Sequence, residues 1–243
     1  MELVVNQWAA FAPRLNSQAQ WRAWALQPWL PTEIVAPALP EMPALLRRRL
    51  DPLGRMAAQV VYWCQRERVD MPVVLASRYG DAVRSLEMLA DLARGQALSP
   101  TAFGMSVHNA IGAMIAIARS DRANALAVAA GAASAAAALV EAVALLADGA
   151  PEVLVVCYDA PLPGAYADFA DEVAVAWAWA WRIGRPSGNE AKFSLNWGAA
   201  DGPADQADAG LPFGLDMLRA MLSGQALWQR AAEGRRWSWR RHG

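Results

Sequence analysis

The chain has 243 residues, of which 56% are hydrophobic and 19% charged, so it can form one sizeable buried core. A net charge of -1 excludes the strong positive field that would attract nucleic acid or an anionic membrane surface. Only two cysteines are present, Cys64 and Cys157, so we predict a reducing cytoplasm and no disulfide framework. The high apolar content leaves open whether some of these residues form a surface for another protein.

No membrane span is expected from the sequence. Between Arg122 and Glu141 no residue is charged, but this stretch consists mainly of alanine. Alanine is too weakly apolar for a convincing span, so we predict that the stretch packs inside a soluble core. The residues before Arg14 lack the basic start that is typical of a secretory signal.

Apolar periodicity and turn residues predict alternating strands and helices along the first two thirds of the chain. Strands are predicted at residues 3–11, 72–77, 125–130 and 153–158, the last three of them buried. Helices are predicted at residues 50–66, 80–94, 99–119 (with a break allowed) and 132–147. Buried strands that alternate with helices are typical of a layered α/β fold with a largely parallel central sheet.

The last third of the chain begins with a strict alternation over residues 173–183. Trp177, Trp179 and Trp181 fall on one face and alanines on the other, which predicts a strand. We interpret these tryptophans as cover for a layer of helices. The alternative is that they anchor a surface for a partner protein.

Antiparallel additions to the sheet are predicted towards the C-terminus. The features are a strand at 193–197, a turn at 188–189 that pairs it with the tryptophan strand, a polar loop at 199–210, a helix at 213–222 and a last strand around 236–240. Four arginines mark this end, namely Arg235, Arg236, Arg240 and Arg241. We interpret them as solvated protection of an edge strand. The alternative is a contact for an acidic carrier protein.

The segment from Ser99 to Asp159 resembles the N-terminal half of a β-ketoacyl synthase of the thiolase superfamily. The likeness lies in SPTAFGMSVHNAIGAM and in NALAVAAGAASAAAALVEAVALLADGAPEVLVVCYD, with a weaker match in VVLASRYGD. In that family a buried strand enters a tight turn of small residues that holds the nucleophile, and a helix and a second buried strand follow. The resemblance covers residues 1–183. It implies a half-thiolase-like fold in a single domain, with residues 184–243 as a reduced C-terminal extension.

Within this family, the run from Ser106 to Ala110 and the short C-terminus rich in arginine and tryptophan resemble one subtype. This subtype is the short chain-length-factor-like subunit of aryl polyene biosynthesis, which pairs with an active ketosynthase.

The resemblance also implies that the catalytic cysteine is missing. Alignment back from the last buried strand puts Ala132 at the nucleophile position, within a turn formed by Gly131, Ala132, Ala133 and Ser134, here called the elbow. In an active enzyme, the helix dipole and free N–H groups at this turn stabilise a thiolate and later an oxyanion. A methyl group cannot attack a thioester, so the elbow is expected to be degenerate.

The family also places two catalytic histidines in its C-terminal half, whereas this chain has only His108 and His242. His108 precedes the elbow, and His242 is the penultimate residue, where chains are commonly disordered. We interpret His108 as bonded to nearby backbone. The alternative is that His108, Asn109, Ala132 and Ser134 lie at a subunit interface or beside the acyl tunnel of a partner.

The sequence therefore predicts a non-catalytic partner subunit of a full-length ketosynthase in fatty-acid or polyketide-type chain building, without cofactor or metal. An acyl carrier protein is a further candidate partner, and nucleic acid is not. The alternative function is a small acyl-transferase or thioesterase that uses Ser134, the only hydroxyl of the elbow. Such a serine needs a base, and without one Ser134 is expected to satisfy itself on the helix backbone.

Overall fold

The computed structural model describes residues 1–66, 70–188, 190–200 and 210–242. Within these residues, helices pack around one eight-stranded β-sheet. The strands of these residues are β1 (Glu2–Phe11), β2 (Val73–Ala76), β3 (Ala125–Val128), β4 (Glu152–Asp159), β5 (Trp177–Gly184), β6 (Lys192–Ala199), β7 (Leu227–Ala232) and β8 (Arg235–His242). The helices are α1 (Gln18–Leu26), α2 (Ala44–Arg47), α3 (Pro52–Gln65), α4 (Ala82–Ala93), α5 (Pro100–Ser106), α6 (Ala110–Arg119), α7 (Ser134–Ala147) and α8 (Phe213–Ser223), with a short 3₁₀ helix at Gly164–Phe169.

The strands lie in the order β3-β2-β4-β5-β1-β6-β8-β7. β2 is parallel to β3 on one side and to β4 on the other. All further neighbours, from β4 to β7, are antiparallel. The predicted layered α/β fold, with a mixed sheet that is parallel around β2 and carries extra antiparallel C-terminal strands, is confirmed.

Capping residues set the helix starts where the sequence predicts them. The carboxylate of Asp51 accepts a hydrogen bond from the N–H of Gly54 at 2.7 Å, and Pro52 is the first helical residue of α3. The helix predicted at 99–119 is broken into α5 and α6, which are bent by 101°. Among the described residues no single helix is long and apolar enough to cross a membrane, and only this bent pair passes such a test together.

Two hydrophobic layers cover opposite faces of the sheet, and β5 faces both of them. Trp177, Trp179 and Trp181 are at most 2% exposed and belong to the layer of α7 and α8. The alanines between them belong to the layer of α3 and α6. The interpretation that the tryptophans cover a helix layer is confirmed.

Helix α8 packs directly on the tryptophan face because one of its residues lacks a side chain. The indole N–H of Trp179 donates to the carbonyl oxygen of Gly214 at 3.0 Å. A Cβ at this position would overlap the ring of Trp177. Glycine at 214 therefore sets how closely α8 approaches the sheet.

The position of β3 differs from the prediction. We expected a buried strand, but β3 is the edge of the sheet, and its residues alternate between exposed and half-buried. Apolar composition alone does not distinguish the two cases, because small residues such as Ala125 and Ala127 are found in both.

The pairing of the C-terminal strands also differs. The strand predicted at 193–197 lies in β6, which pairs with β1 and β8 and not with the tryptophan strand. β1 lies between them because it pairs on both of its sides. Asn189 of the predicted turn and residues 201–209 of the predicted polar loop lie outside the described residues.

The interpretation of the C-terminal arginines as edge protection is wrong. They lie on β8, which pairs with β6 on one side and β7 on the other, so it is not an edge. The edge at this end of the sheet is β7, a strand that the sequence did not predict.

The carboxyl group of Asp159, a half-buried residue, lies at the end of β4. One oxygen of Asp159 accepts hydrogen bonds from the hydroxyl of Ser77 and the N–H of Arg78, each at 2.9 Å. These bonds tie β4 to the turn that follows β2. Burial raises the pKa of Asp159 to about 7, because an apolar environment disfavours the charged carboxylate.

We expect Asp159 to make the protein less stable as the pH rises. Its folded pKa of about 7 lies above an unfolded value of about 4, so the folded state retains a proton that the unfolded chain loses. The free energy of unfolding should fall across this window by roughly 4 kcal/mol and level off above it. Urea denaturation at a series of pH values measures the slope, which Asp159→Asn should reduce; the raised pKa values of Asp51 and Glu172 leave a smaller slope of the same sign.

The exposed Asp148, which follows α7, provides a matched control. Asp148→Asn should keep the slope of the natural protein. An unchanged slope in Asp159→Asn would contradict the assignment.

Candidate functional site

The elbow joins β3 to α7 at the edge of the sheet. Gly131 has a φ of +55°, a left-handed conformation that favours glycine. A short bridge pairs Ala130 with Ala132, and α7 begins at Ser134. Strand, tight turn of small residues and helix thus follow one another as the resemblance implies.

Ser134 satisfies its hydroxyl on the backbone of the elbow. The residue is 2% exposed, and its hydroxyl donates to the carbonyl oxygen of Gly131 at 2.7 Å. The same hydroxyl accepts from the N–H of Ala130 at 3.0 Å. A serine nucleophile needs a base to take its proton, and neither histidine of the chain bonds to Ser134.

Glu233 is a residue of this site that the sequence did not indicate. It lies in the two-residue connection between β7 and β8, where Glu233 and Gly234 have φ values of +52° and +70°. Its carboxylate accepts a hydrogen bond from the N–H of Ala132 at 2.9 Å. A Cβ on Gly131 would overlap this carboxylate, so both the left-handed φ and Glu233 require glycine there.

The two histidines lie on different elements and bond to different groups. Nε2 of His108, between α5 and α6, lies 3.3 Å from the carbonyl oxygen of Val128, which confirms the interpretation of a backbone contact. Nε2 of His242 lies 2.9 Å from the hydroxyl of Ser194. His242 belongs to β8, so the expected disorder at this position is wrong. Asn109 is the N-cap residue of α6, without a side-chain capping bond.

Both cysteines are free and buried, Cys64 in α3 and Cys157 in β4. Burial raises the pKa of Cys64 to about 12 and raises that of Cys157 well above its ordinary value. Because the thiolate is the nucleophile, a thiol held protonated does not replace the missing cysteine. Among the described residues, no three His, Cys, Asp or Glu side chains could hold a metal ion together.

An apolar surface borders the elbow along β3. β3 pairs with β2 on one side only, and helices α6, α5 and α4 pack in succession beside it. These helices and the connection between α5 and α6 expose large apolar side chains, namely Val83, Leu89, Leu92, Phe103, Val107 and Ile117. We call β3 together with these side chains the β3 edge face. Large exposed apolar patches of this kind mark interaction sites.

The sheet and the strand–turn–helix elbow define a thiolase-like α/β protein. The chain belongs to the β-ketoacyl synthase family, because the family described as "Beta-ketoacyl synthase, N-terminal domain" matches residues 21–240. No match was found among curated protein sequences.

Solved structures of ketosynthase complexes are similar to this fold. The chain is 26% identical to a chain in the structure of a ketosynthase (ApeO) in complex with its chain length factor (ApeC) from Xenorhabdus doucetiae. The TM-score is 0.85, and the alignment covers 99% of both chains. This likeness supports a chain-length-factor-like protein, in agreement with the resemblance found in the sequence.

Two more distant structures show the fold alone. A type II polyketide acyl carrier protein in complex with its ketosynthase (AntDE:AntF) gives a TM-score of 0.70 at 10% identity, over 100% of this chain and 99% of that chain. The ketosynthase from module 6 of the bacillaene synthase of Bacillus subtilis 168 gives 0.59 at 10% identity. That alignment covers 84% of this chain but only 42% of the bacillaene ketosynthase chain.

We expect Gly131→Ala to destabilise the fold for two reasons. The left-handed φ costs a side chain about 1 kcal/mol, and the new Cβ displaces the Glu233 carboxylate from the Ala132 N–H, at a cost of about 1 kcal/mol more. Once the carboxylate is displaced, adding Glu233→Ala should cost little. Urea denaturation of the two single variants and the double variant should therefore give less than the sum of the single effects.

Gly95 separates the two causes. It also has a left-handed φ, of +71°, but nothing lies within 4 Å of a Cβ placed there. Gly95→Ala should show the backbone cost alone. If Gly131→Ala were no more costly than Gly95→Ala, the carboxylate would have no part in the effect.

Proposed function

We propose that this chain is a non-catalytic, chain-length-factor-like subunit that pairs with a full-length β-ketoacyl synthase in fatty-acid or polyketide-type biosynthesis. The observation that carries this proposal is the methyl group of Ala132 at the position where the resemblance places the nucleophile. A thioester carbonyl is attacked by a thiolate or an alkoxide, never by a methyl group. The partner ketosynthase supplies the nucleophile that this chain lacks.

The β3 edge face is the surface proposed for pairing. An edge strand presents unpaired N–H and C=O groups, which pair readily with a strand of another chain. Ala125 and Ala127 are exposed on this strand, and their small side chains allow close approach of a second backbone. Phe103 and Ile117, which are 61% and 62% exposed, add apolar surface whose burial favours association at about 25 cal/mol per Å².

The likeness to the complex from Xenorhabdus doucetiae supports a ketosynthase as the occupant of this face. That structure contains a ketosynthase with its chain length factor, and the alignment with this chain covers 99% of the matched chain. The matched chain is therefore about as short as this one. By contrast, the bacillaene ketosynthase extends far beyond the aligned part, which supports a subunit that accompanies a ketosynthase and does not replace one.

In this role, Ala132, Ser134, His108 and Asn109 would lie near the subunit interface and shape the acyl tunnel, which limits chain length. The run from Ser106 to Ala110 supports the aryl polyene pathway as the setting. We further propose that the chain is a single cytoplasmic domain and that residues 184–243 are a reduced C-terminal extension of it.

An acyl carrier protein is a further proposed partner. One of the similar structures is a carrier protein in complex with its ketosynthase, which supports this proposal. On this chain, Arg240 and Arg241 are exposed on β8 and offer positive charge to an acidic carrier.

Co-expression with a full-length β-ketoacyl synthase from the same organism should give a heterodimer in native mass spectrometry. Ala127→Asp should abolish this species, because a carboxylate buried without a partner at the junction costs several kcal/mol. Leu227→Asp is the matched control. Leu227 is 42% exposed on β7, the opposite edge of the sheet, so this variant should still pair.

Three results would contradict the proposal. The first is a well-behaved monomer that shows no affinity for the ketosynthase, and the second is pairing that survives Ala127→Asp. The third is hydrolysis of an acyl-carrier thioester by the isolated chain that disappears in Ser134→Ala, since this would make the chain an enzyme.

A further inference from the structure

We propose that the exposed carboxylate of Glu233 covers the elbow, so that the turn cannot receive the carbonyl oxygen of an acyl thioester even when a nucleophile is restored. This inference rests on the proposed function and deepens it, because it concerns the same degenerate elbow. The loss of activity then has two causes, the methyl group of Ala132 and the carboxylate of a residue 101 positions away.

The first argument is that the backbone donor of the elbow is occupied. The N–H of Ala132 donates to Oε1 of Glu233 at 2.9 Å. A free N–H at a nucleophile elbow is the group that stabilises the negative oxygen of a tetrahedral intermediate. With the carboxylate in place, this N–H has no hydrogen to offer to a substrate.

The second argument is that the space over the turn is filled. A Cβ built on Gly131 meets the Glu233 carboxylate, and no other residue lies among its three nearest contacts. The carboxylate therefore covers the face of the turn that glycine leaves open. An acyl group arriving on that face would have to displace it.

The third argument is charge. The start of α7 favours a negative group, which would be the thiolate in an active enzyme. Here the carboxylate of Glu233 is the negative group at the start of α7. It would repel a thiolate placed at Ala132 and the developing oxyanion alike.

The fold holds Glu233 in position at a cost. A φ of +52° is unfavourable for glutamate, and two-residue hairpin connections of this kind prefer Asn, Asp or Gly. The hairpin is anchored from β7, where the indole N–H of Trp228 donates to Asp216 of α8 at 2.9 Å. Arg230 on the same strand donates to the carbonyl oxygen of Leu211 at 2.8 Å. A strained glutamate on an anchored turn is consistent with a role for its side chain.

Thiol alkylation of the isolated chain tests the inference. The variants are Ala132→Cys, Ala132→Cys with Glu233→Ala, and Ala132→Cys with Glu233→Gln. The natural protein measures the background, which should be low because Cys64 and Cys157 are buried and protonated. The rate of iodoacetamide alkylation is followed against pH, and thermal unfolding confirms that each variant is folded.

We expect the Ala132→Cys thiol to react slowly at neutral pH. Glu233→Ala should raise its rate about tenfold, which corresponds to a thiol pKa lower by about one unit. Glu233→Gln should give an intermediate rate, because the amide oxygen can still accept the hydrogen bond but carries no charge. Equal rates in all three variants would overturn the inference.

A second measurement needs no new cysteine. Hydrogen exchange at the amide of Ala132 should become about tenfold faster in Glu233→Ala, while amides of β4 keep their protection. Unchanged exchange at Ala132 would show that the carboxylate does not hold this N–H. Neither experiment involves a ketosynthase, so failure of the pairing test and failure of this inference are separate results.

Discussion

The structure depends on how the two faces of β5 are filled. Tryptophans on one face and alanines on the other allow helices to lie at different distances from the same strand. On the tryptophan side, α8 approaches closely only because residue 214 is glycine and its carbonyl oxygen accepts from Trp179. This contact fixes the position of α8, and the C-terminal hairpin follows from it.

The chain of contacts runs from this core to the elbow. Asp216 of α8 is 4% exposed, accepts from the indole N–H of Trp228 and pairs with Arg230, so it attaches β7 to the helix. β7 and β8 then hold the turn that carries Glu233. A buried helix contact thereby determines which group the N–H of Ala132 meets. The C-terminal part of the chain contributes to the elbow as well as to the sheet.

The elbow combines a strand, a left-handed glycine and the start of a helix. At Ala132, where the resemblance places the nucleophile, the chain has a methyl group, and the N–H of the same residue donates to the carboxylate of Glu233. The neighbouring edge strand and the exposed apolar helices are what the proposed partner role needs. In the proposed role, this surface places the elbow beside the active subunit, where it contributes to the shape of the interface.

The sequence by itself determined most of the elements and the two faces of β5. Caps such as Asp51, the alternation of tryptophan and alanine, and the break after α5 are local signals, and the structure agrees with them. The start of α1 could also have been predicted from the sequence, because Ser17 and Gln20 form a capping box. We did not predict that helix. The resemblance around Ala132 likewise identified the family.

Only the tertiary structure decided which strands are neighbours and which distant residues meet. Periodicity reports the face on which a side chain lies but not the strand beside it, so the insertion of β1 between β5 and β6 and the edge position of β3 were not predictable. The contact of Glu233 with Ala132 joins residues 101 positions apart, and nothing in either segment indicates the other. That contact exists because α8 and the hairpin are positioned by the packing of the whole core.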